Sequence, residues 1–359
     1  MPCPEPSADH TAAAEKRQAR LTKPAGSLGT LEALAVRLAG LQRTERPRAA
    51  RAPIVLFAGD HGVTAQGVSA YPSAVTVEML KNFTAGGAAI SVLARELGVA
   101  LTVVDAGTLA EAPMAGVTTD KPRRGTRDFT LERALTADEV GFALAAGRRA
   151  VAAATSGVAD LILFGEMGIG NTTSAAAVAA ALLSRPPSEL AGAGTGLDAG
   201  RVAHKARVIA QGLERHGLDG GLDRAPAREV LSAVGGLEIA ALAGAIVAAA
   251  QAGIPVLVDG FIVSVAALAA VRLNASCAPW LLFSHRSAEQ GHRVVLEALG
   301  AEPILDLGLR LGEGSGAATA LAIVRLACAL HNTMATFEEA AVSGPAPSAP
   351  ARSGSGPCP

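Results

Sequence analysis

LFGEMGIGNTTSAAAVAAALL, residues Leu163 to Leu183, runs from an apolar stretch through a glycine-rich turn into an Ala/Leu segment of helical spacing that opens at Asn171 or Thr172. A strand that feeds through glycines into a helix N-terminus is the repeating unit of a parallel α/β sheet. Further short apolar runs read as buried strands: Pro53 to Asp60, Val99 to Gly107, Asp160 to Glu166, Pro255 to Gly260, Pro279 to His285 and Pro303 to Gly308. Between them, Ser73 to Asn82, Gly87 to Leu97, Ala137 to Thr155, Thr172 to Leu183, Leu237 to Ala250 and Ala317 to Thr333 carry helical spacing. This alternation predicts a doubly wound parallel sheet with helices on both faces, over residues 51–316.

The same stretch bears on chemistry. Glycines let backbone N–H groups point at an anion, and the helix start adds partial positive charge, so the turn suits a phosphate. The spacing Gly165 to Gly170, then Asn171 and Thr172, imitates the GxxxxGK[ST] loop, but no lysine follows Gly170. A monophosphate is therefore the stronger reading and ATP the weaker one. A tight strand-to-helix turn without a ligand has the same signature.

Several strands end in an acid followed by Gly or Ala or near one: Asp60, Asp105, Glu166 and Asp259. Ligands of open α/β sheets sit beyond the carboxyl ends of the strands, so these four are candidates to converge on one crevice. Capping of the following segment is the competing explanation, above all for Asp105. A second glycine loop, around Gly312 to Ala318, sets Glu313 between Gly312 and Gly314, where a carboxylate can serve as proton acceptor. By spacing alone a solvated loop glutamate is the commoner explanation. GTGLD, Gly194 to Asp198, precedes a helix bearing His204 and Lys205, and Lys205 could supply the cation that the loop at Gly165 lacks. Ser284, Arg286 and Ser287, in SHRSAEQGH, offer further anion contacts, while the absence of a G-x-S-x-G elbow argues against a hydrolase. Asp60 and His61 fall short of a metal cluster, and His61 reads as a structural hydrogen-bonding residue. Tyr71 and Pro72 offer a flat wall for an aromatic ring.

The 359 residues hold ample apolar sequence for a large core, with a formal net charge of −1. There is no basic field for nucleic acid or an anionic membrane, so small-molecule partners fit best. Mean hydropathy is +0.35, yet the apolar stretches fall short of the ~20 residues of a membrane span. The N-terminus has early acids and no apolar signal core, which points to the cytoplasm. Cys3, Cys277, Cys328 and Cys358 show no metal-ligand spacing. Residues 1–50, with a helical run from Leu28 to Leu41, and the segment 317–341 are expected to stand apart from the sheet as a small helical subdomain. The Pro/Gly/Ser-rich tail 342–359 is expected to be disordered.

Taken in order, TKPAGSLGTLE (Thr22 to Glu32), GDHGV, NFTAGGAAISVLAR, GEMGIGNTT, GTGLD, VGGLEIAALAGAI, PVLVDGFI, SHRSAEQGH and LGLRLGEGSGAA make the chain resemble the nicotinate-nucleotide:dimethylbenzimidazole phosphoribosyltransferases nearly end to end. The resemblance implies a homodimer acting on nicotinate mononucleotide and a benzimidazole base, with no cofactor and no metal. It implies Glu313 as general base and Glu166 as an active-site acid. Phosphate contacts are implied for the loop after Glu166 (Gly168, Gly170, Asn171, Thr172, Thr173), for Lys205 and for Ser284, with Asp259 as a further acid near the substrates. Glu313 is expected to titrate near the ordinary glutamate value of ~4.3 and so to be ionised at neutral pH.

Overall fold

The computed structural model describes residues 1–156, 159–194, 196–219 and 225–344. The expectation for the tail therefore falls largely outside the described residues. Six parallel strands form the sheet: β1 (Ile54–Gly59), β2 (Leu101–Gly107), β3 (Val117–Thr119), β4 (Ile162–Met167), β5 (Val256–Val258) and β6 (Leu281–Phe283). Their order is β3-β2-β1-β4-β5-β6. The chain winds outward from β1 in one direction and from β4 in the other, so the switch point lies between these two strands.

The helices are α1 (Ala8–Arg20), α2 (Thr30–Gln42), α3 (Ala74–Ala85), α4 (Ala89–Leu97), α5 (Ala137–Ala154), α6 (Asn171–Leu183), α7 (Pro187–Leu190), α8 (Ala199–Arg215), α9 (Ala227–Val234), α10 (Leu237–Gln251), α11 (Phe261–Leu273), α12 (Gln290–Ala298) and α13 (Ser315–Thr333). No helix among the described residues is long and apolar enough to cross a membrane.

Side-chain alternation along the strands assigns the two faces. Val55 and Phe57 of β1, with Phe164 of β4 and Val258 of β5, pack against α5, α6, α10 and α11. Ile54, Leu56, Leu163 and Leu257 point the other way, onto α2, α3, α4 and α13. α5 starts at a capping box, in which Thr136 and Glu139 satisfy each other's backbone N–H groups.

Two departures from the sequence reading concern length. Pro303 to Gly308 is not a strand; it makes a single parallel bridge, Leu305 to His285. The edge strand β3 escaped the reading because three residues, only half-buried or exposed, leave no apolar run. The segment 317–341 also does not stand wholly apart: Ala317, Leu321 and Val324 share the core of β1 and β4. Its later turns meet the N-terminal helices, where Arg17 Nε donates to the His331 carbonyl at 2.7 Å and Leu21 bridges Thr336. The first residues cross the base of the core, where Trp280 Nε1 donates to the Pro4 carbonyl at 2.9 Å.

α5 and α10 cross backbone against backbone. A Cβ on Gly147 would overlap the Ala241 carbonyl, and one on Gly244 the Leu144 carbonyl. Main chain cannot yield as a side chain can, so Gly244→Val should cost about 1–3 kcal/mol of stability. A denaturant midpoint equal to the parent's would show that the two helices separate freely.

Candidate active site

A cavity of about 300 Å³ opens at the carboxyl edge of the sheet, walled by the segments that follow β4, β5 and β6. Of the residues singled out from sequence, Tyr71, Glu166, Gly168, Asn171, Thr172, Ser287 and Gly312 line it.

The turn after β4 is possible only with glycine. Gly170 adopts φ +94°, and a Cβ on Gly168 would overlap the Gly59 carbonyl at the end of β1. Several of its amides hold the turn itself. Ile169 N–H donates to Thr76 Oγ1 at 3.0 Å, Asn171 N–H to the Gly168 carbonyl at 3.0 Å and Thr173 N–H to the Gly170 carbonyl at 3.0 Å. Thr172 lines the cavity, and the buried Lys205 Nζ donates to its hydroxyl at 2.7 Å. Burial pushes Lys205 down to about 8, against the opposing pull of Glu289.

Glu166 and Glu313 meet through the second glycine loop. A Cβ on Gly165 would overlap the Glu313 carbonyl, and one on Gly312 would strike the Glu166 carboxyl. Gly312, Glu313 and Gly314 take φ of 84°, 64° and 84°, three left-handed residues in succession. For a glutamate that conformation costs about 1–2 kcal/mol. Asp259 at the end of β5 holds it in place, accepting the N–H of Gly314 at 3.1 Å and of Ala317 at 2.9 Å. Asp259 thus lies behind the cavity wall with both oxygens engaged.

These acids are buried close together. Glu166 is pushed up to about 8, first by burial and then by the charges of Asp259, Glu238 and Glu313, with the hydrogen bond from Asn171 opposing. At neutral pH it is largely protonated. Glu313 is also raised, chiefly by burial, against a hydrogen bond from the Ile90 N–H and with Asp259 adding to the rise. The expectation of an ordinary glutamate pKa is thereby corrected: a carboxyl enclosed at the sheet edge is costly to ionise. Glu313 Oε2 has no hydrogen-bond partner among the described residues.

The remaining assignments fall off the cavity wall. Gly170, Thr173, Lys205, Asp259, Ser284, Glu313 and Gly314 are buried and are not among its lining residues, and Pro72 is exposed beside Tyr71. Ser284 Oγ is buried against the Asp259 carbonyl at 3.4 Å and His285 Nδ1 at 3.0 Å. Of the four strand-end acids only Glu166 reaches the cavity. Asp105 binds Lys121 at 2.6 Å and its own turn at Thr108 N–H, and Asp60 accepts the Leu109 N–H at 2.8 Å.

Sequence reasoning missed Phe261, Ile262, His285, Glu289 and Arg310, all on the wall. Phe261 and Ile262 open α11 just beyond β5, so the carboxyl-end rule could have found them. Arg310 sits three residues before Glu313 and donates to the Gly194 carbonyl at 3.4 Å, giving the cavity a cation of its own.

Known proteins match this chain along nearly its whole length. A family model described as phosphoribosyltransferase covers residues 3–342. A nicotinate-nucleotide–dimethylbenzimidazole phosphoribosyltransferase of a Bradyrhizobium species is 67% identical over 342 residues, 95% of this chain and 97% of that protein. One of Pseudomonas aeruginosa is 60% identical over 332 residues, covering 92% and 93%. The crystal structure of the enzyme of that name from Thermus thermophilus superposes with a TM-score of 0.88 at 42% identity, over 94% of this chain and all of the other. With fold, carboxyl-edge cavity and sequence in agreement, the chain belongs to the nicotinate-nucleotide:dimethylbenzimidazole phosphoribosyltransferase family.

Proposed function

We propose that this cavity transfers the phosphoribosyl group of nicotinate mononucleotide to 5,6-dimethylbenzimidazole or a related base. The products are nicotinate and α-ribazole 5′-phosphate. The observation that carries the reading is the seating of the Glu313 main chain on Gly165 of β4, which sets Gly312 of the same turn against the Glu166 carboxyl on the cavity wall, next in sequence to a buried Glu313 whose Oε2 has no partner among the described residues.

The ring nitrogen that nicotinate carries in the mononucleotide is already cationic, so nicotinate departs as a neutral pyridine nitrogen without acid or metal. An imidazole nitrogen attacks C1′ from the opposite face and inverts it. The proton on the second imidazole nitrogen passes to Glu313, whose raised pKa makes it a stronger base than free glutamate. The Gly168–Thr173 turn, Lys205, Arg310 and Ser284 serve the phosphate, directly or by support from behind. Asp259 and Gly314 hold the base, and Tyr71 with Pro72 faces the acceptor ring. Protonated Glu166 can donate a hydrogen bond where an anion would repel the nucleotide. Holding two flat rings on either side of the ribose supplies much of the rate. The enzyme works as a homodimer in the cytoplasm, and α1, α2 and the last turns of α13 act as a small domain built from both chain ends.

Glu313→Gln should lower kcat by roughly 10²–10⁴-fold, the usual contribution of a general base, while nucleotide affinity and melting temperature hold. Near-parental turnover, followed as nicotinate release that depends on the added base, would remove Glu313 from this role.

The pH dependence has a definite sign. Above about pH 8 Lys205 loses its positive charge and Glu166 gains a negative one, so the site becomes less attractive to an anion. The KM for nicotinate mononucleotide should therefore rise between pH 7 and pH 9, and less steeply in Lys205→Arg. A flat KM over that range would rule out both groups as its cause. On the acid side, kcat should fall as Glu313 takes up a proton, at a pH above the usual glutamate range.

A further inference from the structure

Beneath the glycine turn lies a buried chain of three polar side chains for which the mechanism above has no use. Ser174 Oγ stands 2.9 Å from His61 Nδ1, and His61 Nε2 stands 2.8 Å from Glu238 Oε1. The side chains of His61 and Glu238 are wholly enclosed, and Ser174 is equally buried. No substrate could reach them, so a serine–histidine–carboxylate nucleophile is excluded. With Glu238 as acceptor, Nε2 carries the proton, and in the neutral ring Nδ1 then accepts from the Ser174 hydroxyl.

The three residues come from three different segments: the turn after β1, the first turn of α6 and the first turn of α10. The Cβ position of Gly170 lies 3.2 Å from His61 Cβ, and that of Gly168 lies 3.5 Å from His61 Nε2. The imidazole is therefore the floor on which both glycines rest. Room for the Glu238 carboxyl is left by Gly59 and Gly236, since a Cβ on Gly236 would come within 2.7 Å of it. A core built only for stability would fill this space with apolar groups, whereas a hydrogen-bonded network fixes one geometry.

We propose that Ser174, His61 and Glu238 are positioning residues that hold the Gly168–Thr172 turn in the shape that receives the nucleotide phosphate. This rests on the reading that the turn binds nicotinate mononucleotide. Two variants break one link each while preserving volume: Ser174→Ala removes the hydroxyl, and Glu238→Met removes the acceptor. Glu238→Gln keeps an acceptor for Nε2 and serves as the rescue.

In Ser174→Ala and Glu238→Met, the KM for nicotinate mononucleotide should rise roughly fivefold or more, the usual effect of one lost buried hydrogen bond, with kcat within about twofold. Glu238→Gln should stay near the parent. Hydrogen exchange, which needs no substrate, should quicken over residues 166–173 and not across the rest of the sheet. An unchanged KM with unchanged exchange overturns the proposal, as does an even loss of protection throughout the molecule, the mark of a merely stabilising role. If the parent protein shows no base-dependent turnover, the transferase reading falls and the exchange pattern alone decides this one.

Discussion

The site depends on the missing side chain at Gly165. β4 runs through the middle of the sheet, and at this one position its surface is bare backbone, so the main chain of Glu313 and Gly314 can rest on it. Any Cβ there would lift the turn off the strand. Segments far apart in sequence are brought together at the edge of the cavity by a contact between two pieces of main chain. Within the turn Glu313 alone is strained, since glycine adopts positive φ freely at 312 and 314, and Asp259 holds the turn by accepting two amides.

The burial of so many acids at one edge follows from the same packing. Glu166, Asp259 and Glu313 lie within reach of one another's fields, and each is raised above its ordinary pKa with burial as the leading cause. Their environments nevertheless separate their roles. Asp259 has backbone N–H groups on both oxygens and Glu166 has the Asn171 amide, whereas Glu313 keeps one oxygen without a partner among the described residues. The histidines nearby are sorted likewise. His292, pushed down to about 3 by burial and by neighbouring His285 and Arg286, takes the Ser287 N–H on Nδ1 and is a neutral spacer between α11 and α12.

Much of this was legible in the sequence because the decisive signals are local. A strand, a glycine turn and a helix start follow one another within Leu163 to Leu183, and β4 and α6 occupy that stretch. Glu166 likewise sits on the cavity where the carboxyl-end rule puts it. What the sequence withheld is direction. Asp60, Asp105, Glu166 and Asp259 look alike as strand-end acids, yet only Glu166 faces the cavity, because a neighbour's amide or a lysine such as Lys121 captures each of the others. The long-range pairing of His61 with Glu238 is invisible for the same reason: 177 positions separate them. Glu313's raised pKa depends on enclosure, which no spacing encodes.

The placement of α13 has a consequence for how the molecule is made. On the face it shares with α2, α3 and α4, this helix covers β4 and β5, and it is the last helix among the described residues. On the ribosome that part of the apolar surface stays uncovered until the residues of α13 have been made, and Leu21 and Arg17 wait equally long for Thr336 and His331. A nascent chain halted before Ser315 exposes the floor of its own sheet, so premature termination yields a sticky, chaperone-seeking fragment in place of a smaller working enzyme.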